Sequence, residues 1–139
     1  MQFTRRETLV IGGAAAVAVT LPMPAMASKT DALIEEFTGG AEVADGGVEL
    51  DAPEIAENGN TVPIEVAAEG ASAIMVLAAG NPEPPVATFN FGPLAGAHRA
   101  KTRIRLASTQ DVVAVAKMAD GSFAKATKTV KVTIGGCGG

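Results

Sequence analysis

The sequence predicts an all-β fold, an immunoglobulin-like antiparallel β-sandwich with a short N-terminal helix and a flexible C-terminal arm. Three observations predict it. Apolar residues recur at a period of two in several stretches after residue 40, as half-buried strands require. About seven such stretches are separated by turn residues, with no long helical pattern between them. The last stretch runs into Gly135-Gly136-Cys137-Gly138-Gly139, where nothing bulky ties the chain down and glycine is free at both signs of φ.

The chain opens with a segment that the fold does not need. Thr4-Arg5-Arg6-Glu7-Thr8-Leu9 precedes an uncharged run rich in alanine and glycine, which ends Ala25-Met26-Ala27. Paired arginines, a weakly apolar region and a small-residue cleavage site predict a twin-arginine export signal over residues 1–27 that is removed. The uncharged length could also span a bilayer. Against an anchor stand Gly12, Gly13, Pro22 and Pro24, and no basic stop-transfer group follows Ala27. The expected product is periplasmic, with no membrane segment in its mature form. Residues 28–134 suffice for one domain with a core, and residues 135–139 form the arm.

Thr30 to Phe37 predicts a short helix, with Thr30 as cap, Asp31 in the first turn, and Leu33, Ile34 and Phe37 on one face. Gly39-Gly40 stops it. Residues 48–50 are a candidate strand. Val62, Ile64 and Val66 alternate with Pro63, Glu65 and Ala67, which predicts a half-buried strand. Residues 72–79 are more continuously apolar and suit a central strand. Gly80-Asn81-Pro82-Glu83-Pro84-Pro85 predicts a rigid turn or crossover, and residues 86–91 an edge strand with Phe89 and Phe91 on one side. Thr102, Ile104 and Leu106 alternate with Arg103, Arg105 and Ala107, so both arginines should face solvent or a partner. Residues 111–118 form a second apolar strand, and Ala119-Asp120-Gly121-Ser122 a hairpin-like turn. The outgoing strand begins at Phe123 and should place Val130, Val132 and Ile134 inward, with Lys131 and Thr133 outward.

Charge is unevenly distributed. The whole chain carries −4. Without Arg5, Arg6 and Glu7 it has nine basic and fourteen acidic residues. Twelve acidic residues and one lysine lie between Lys29 and Glu83, whereas eight basic residues and only Asp111 and Asp120 lie between Arg99 and Lys131. Folded, these halves give either two opposed faces that steer a partner or anion, or one intermixed surface. An acidic, exported domain without tyrosine or tryptophan excludes a nucleic-acid stacking platform.

Chemistry centres on Cys137, the only cysteine. It cannot make an internal disulfide, although export leads to an oxidising compartment. A catalytic thiol needs a base or cation beside it. The only histidine, His98, is far away in sequence and reads as an exposed loop residue. A cupredoxin-type copper site needs two histidines and a cysteine, often with an axial methionine. One histidine cannot supply it, Met118 reads as a strand residue, and no calcium-loop spacing occurs, so no intrinsic metal or cofactor is expected. A covalent carrier fits better, because glycines leave the sulfur accessible from all sides and tethering raises its local concentration at successive enzymes. Three classes stay open at this level: a carrier, a noncatalytic interaction domain using the cysteine for intermolecular disulfides, and a small thiol enzyme.

The chain resembles the SoxY family of sulfur-oxidation carriers. The resemblance rests on the terminal Gly135-Gly136-Cys137-Gly138-Gly139, on Pro53-Glu54-Ile55-Ala56-Glu57-Asn58-Gly59, Gly80-Asn81-Pro82 and Thr102-Arg103-Ile104-Arg105-Leu106-Ala107, and on Val112 through Met118. It implies immunoglobulin-like domains, a heterodimer with a SoxZ-like companion, and no catalysis by the chain itself. It further implies that a SoxAX-like cytochrome conjugates thiosulfate to Cys137 as a cysteine S-thiosulfonate, and that a SoxB-like hydrolase removes sulfate to leave a persulfide. A SoxCD-like sulfur dehydrogenase can then oxidise the retained sulfur. On this chain the attachment residue is Cys137 and the arm is Gly135, Gly136, Gly138 and Gly139. Arg103, Arg105 and Lys131 are candidate partner or anion contacts.

Overall fold

The computed structural model describes residues 28–135. The expected export signal and Gly136, Cys137, Gly138 and Gly139 lie outside the described residues. Helix α1 (Lys29–Thr38) is capped by Ser28 rather than Thr30. The Ser28 hydroxyl accepts the Asp31 N–H while the Asp31 carboxylate accepts the Ser28 N–H, a reciprocal capping box. Thr30 falls two positions later, inside the first turn, and is buried. Gly39 ends the helix at φ 65°, a left-handed conformation that costs glycine nothing.

Nine strands follow among the described residues: β1 (Val43–Asp45), β2 (Glu49–Asp51), β3 (Ile55–Ala56), β4 (Val62–Ala67), β5 (Ala71–Ala78), β6 (Pro85–Asn90), β7 (Arg99–Ile104), β8 (Gln110–Met118) and β9 (Phe123–Val132). They form two sheets. One runs β1-β9-β8-β5-β6 with β3 also on β9, and the other runs β2-β4-β7. The all-β, sandwich-like expectation holds in this coarse form, but the larger sheet is not purely antiparallel. Both β1 and β3 pair parallel to β9. Each is so short that it carries no periodic signal, and it exists because β9 offers a free edge.

Packing explains the two continuous apolar runs. Ile74 and Val76 of β5 and Val112, Ala114 and Ala116 of β8 pack against Val62, Ile64, Val66, Ile104 and Leu106 from the second sheet's side. On the opposite face Met75, Leu77, Val113 and Val115 meet Leu33, Ile34 and Phe37 of α1. Phe37 sets its ring edge-on to Phe123, centroids 5.9 Å apart. β5 and β8 are therefore covered on both faces, and alternation disappears from them. β4 is covered on one face and keeps it, Val62, Ile64 and Val66 buried between Pro63, Glu65 and Ala67.

Candidate functional site

The residues that lead into the cysteine arm are held at one end of the sandwich. β9 ends at Val132, whose N–H donates to Thr109 Oγ1 at 2.9 Å. Thr133 donates its N–H to the Ala56 carbonyl at 3.1 Å and its hydroxyl to the Glu57 carbonyl at 2.9 Å. The Ile134 carbonyl accepts the Gly59 N–H at 2.8 Å, and the Gly59 carbonyl accepts the Leu106 N–H at 2.8 Å. Ile134 was expected inward and is instead 62% exposed, because the chain bends after Val132 to follow the loop of residues 57–60. Gly135 emerges from this anchored root half-buried.

The same end is braced by a buried amide. Gln110 Oε1 accepts the Gly80 N–H at 2.9 Å, and its Nε2 donates to Asn81 Oδ1 and to the Ser108 carbonyl, both at 2.9 Å. Asn81 in turn donates to the Arg105 carbonyl at 2.8 Å and accepts the Ala107 N–H at 2.9 Å. The β5–β6 turn, the β7–β8 loop, the β3–β4 loop and the arm root thus form one connected collar. No buried side-chain nitrogen or oxygen among the described residues is left without a partner. Sequence patterns did not reveal the collar, because its bonds join residues distant in the chain. The one signal was Gln110, a lone amide at the mouth of an apolar run.

The candidate charged contacts are distributed around that end. Arg103 is exposed on β7 opposite Pro63 and reaches Thr61 Oγ1 at 3.4 Å. Arg105 is exposed but lies just beyond β7, in the collar loop. Lys131 is exposed opposite Ile55. None of the three enters an ion pair among the described residues. Arg99 and Lys101 do, both with Glu65 (3.4 and 3.0 Å), and Arg99 also approaches Glu49 at 3.8 Å. On the outer face of the smaller sheet the acidic and basic halves of the sequence therefore intermix.

His98 is not the exposed loop residue expected. It is half-buried, accepts the Gly70 N–H on Nδ1 at 2.9 Å and lies 5.6 Å from the Phe91 ring. It sits beside the β4–β5 turn, at the end opposite the arm root. Residues 98–106 run nearly extended between the two ends, a span of about 25 Å, whereas three residues from Ile134 to Cys137 reach about 10 Å. His98 lies beyond that reach. Among the described residues no group of three or more His, Cys, Asp or Glu is placed to hold a metal ion. No described helix is long and apolar enough to cross a membrane.

Comparison with known proteins gives this geometry a family. The family model "Sulfur oxidation protein SoxY" matches residues 34–137. The chain belongs to the SoxY family. The sulfur carrier protein SoxY from Chlorobium limicola f. thiosulfatophilum is 35% identical, with a TM-score of 0.67 over 76% of this chain and 97% of that one. A superoxide reductase (neelaredoxin) from Ignicoccus hospitalis, 17% identical over 63% of this chain and 80% of its own, gives a TM-score of 0.54 and shares the fold alone. No curated protein matches. The chain is accordingly a noncatalytic sulfur carrier of thiosulfate oxidation. Three of the segments that carry the SoxY resemblance, around residues 53–59, 80–82 and 102–107, meet in the collar at the arm root.

Proposed function

We propose that Cys137 holds the sulfur covalently and that Gly135, Gly136, Gly138 and Gly139 present it to partner enzymes in the periplasm, the export signal of residues 1–27 having been removed. The observation that carries this is the root. Among the described residues the last anchored carbonyl belongs to Ile134, and the only cysteine of the sequence follows three residues later, among glycines. With His98 out of reach, the chain offers the thiol no imidazole base, so activation comes from the partner.

In this reading a SoxAX-like cytochrome joins the Cys137 sulfur to the outer sulfur of thiosulfate, releasing one proton and passing two electrons to haem. A SoxB-like hydrolase adds water across the sulfane–sulfonate bond, releasing sulfate and leaving a persulfide. A SoxCD-like dehydrogenase oxidises the remaining sulfane sulfur with water as oxygen source, and a second hydrolysis regenerates the thiol. The chain needs no cofactor of its own. A SoxZ-like subunit is its heterodimer partner, and Arg103, Arg105 and Lys131 are free to meet partners or the anionic adduct. We also propose that the sandwich is immunoglobulin-like, a reading supported by the order β2-β4-β7 in one sheet and β9-β8-β5-β6 in the other.

The test is intact mass of the mature protein after turnover of thiosulfate with these partners, beside Cys137→Ala. A reductant-labile sulfur adduct on the wild type, absent from the variant, is expected. Demonstrated turnover with Cys137 unmodified, or only a reducible protein dimer, would remove the carrier assignment.

A further inference from the structure

The collar does more than end the domain. Residues 133 and 134 lie beyond the end of β9, yet three hydrogen bonds, one of them closing the β3–β9 pairing, hold them to residues 56, 57 and 59. We propose that this loop is a clamp that fixes the length of the carrier arm, with Thr133 as the positioning residue. The inference rests on the carrier reading above.

Its consequence follows from chain geometry. With the clamp closed, the free link from Ile134 to Cys137 is three residues and spans at most about 10 Å. With it open, the link begins at Val132, which Thr109 and β9 still hold, and spans about 17 Å over five residues. The thiol's effective concentration at a docked site falls roughly as the −3/2 power of link length, here about twofold. Opening also moves Thr133 and the branched Ile134 into a segment that is otherwise glycine. An enclosed partner site that admits a glycine thread would have to admit those side chains as well. The clamp therefore favours a partner whose reactive centre lies within about 10 Å of a rim that rests on this end of the sandwich.

The experiment compares four chains as substrates of the thiosulfate-conjugating cytochrome: wild type, Thr133→Pro, Thr133→Ser, and wild type with two glycines inserted after Gly135. Thr133→Pro removes both bonds made by residue 133, and a fifth chain, Thr133→Val, removes only the hydroxyl bond should the proline variant fold poorly. Gly59 amide exchange reports whether the clamp has opened. The expected result is a fall of about twofold or more in kcat/KM for Thr133→Pro, carried by KM and matched by the glycine insertion. Thr133→Val should lose less and Thr133→Ser nothing. Reaction of Cys137 with a small disulfide reagent should be equal in all. Faster Gly59 exchange with wild-type kcat/KM overturns the clamp, as does an insertion that lowers kcat/KM when an opened clamp does not. If the wild type turns over with Cys137 unmodified, the carrier reading has failed and the clamp falls with it, a result that the mass spectrum separates from the others.

Discussion

Replacing Gly80 by alanine should destabilise the domain by about 2–4 kcal/mol, although the residue sits in an exposed turn and the change adds one methyl group. A Cβ built on Gly80 lies 2.8 Å from the Cβ of Gln110 and 3.3 Å from its Cδ and Oε1. Real Cβ atoms do not approach so closely, and Gln110 Cβ cannot swing aside, because its backbone is the first rung of β8 opposite Val130. Backbone strain plays no part, since Gly80 is not among the positive-φ glycines. Relief requires the turn or the strand to move, at about 1–3 kcal/mol for an overpacked site. That movement also stretches the bonds from Gly80 to Gln110 and from Gln110 to Asn81, each worth about 1 kcal/mol. For a domain of this size the sum corresponds to a melting temperature about 10–20 °C lower, measured by circular dichroism on the mature chain. Gln110→Ala retains the offending Cβ, so Gly80→Ala should still cost about 1–3 kcal/mol in that background, whereas Gln110→Gly should erase the clash. Melting of Gly80→Ala within 2 °C of wild type, about 0.4 kcal/mol, would refute the collar as described.

Three further outcomes follow from local chemistry. Ser28→Ala breaks the capping box and should cost about 1 kcal/mol, read as a lower urea midpoint at unchanged slope. The side-chain hydrogen bond from Ser122 to Asp120, with a backbone bond from the same residue, holds the Asp120 carboxyl below the usual carboxylate range. Its folded value being the lower one, the turn's support is complete above the ordinary carboxylate pKa and is lost as pH falls through the depressed value. Carbon-detected titration should show Ser122→Ala returning Asp120 toward the ordinary range. Glu65→Gln removes both close ion pairs of the outer sheet face, yet with Arg99 and Lys101 largely exposed it should cost under about 1 kcal/mol and less still in high salt.

How much of this could be read from the sequence depends on how far the cause lies from the residue. Helix α1, β4 and β9 are set by their own alternation and stops, and they were legible, whereas β7 was read over residues 102–107, about three residues late at each end. The proposal for Cys137 rests on the sequence alone, since that residue lies outside the described ones and a carried thiol needs no pocket of its own. Ser28 could have been read as the cap, because Ser28-Lys29-Thr30-Asp31 spells a capping box. β1 and β3 could not, because three- and two-residue strands have no period and are specified by the edge of β9. The collar was equally hidden: Thr133 meets Glu57 across 76 positions, and nothing local in either residue announces the other.

Charge shows how folding can revise a sequence-level asymmetry into a narrower one. The acidic half supplies Glu49 and Glu65, and the basic half supplies Arg99 and Lys101, which satisfy one another on the smaller sheet. Among the described residues the other six cations of the basic half enter no ion pair, and three of them, Arg103, Arg105 and Lys131, lie toward the arm end of β7 and β9. Glu54 and Glu57 lie on the same side, so the excess is local and short-ranged. Against a unit negative charge on a docking rim about 10 Å away, each free cation contributes about 0.4 kcal/mol in water, a twofold effect on encounter. Reversing Arg105 to glutamate should therefore slow conjugation about fourfold at low ionic strength, the lost attraction and the new repulsion together, and the gap should close toward 0.5 M salt. Arg99→Glu, which breaks ion pairs away from the root, should lower stability slightly and leave that salt slope unchanged. If Arg99→Glu alters the slope while Arg105→Glu does not, steering comes from the sheet face and not from the arm end.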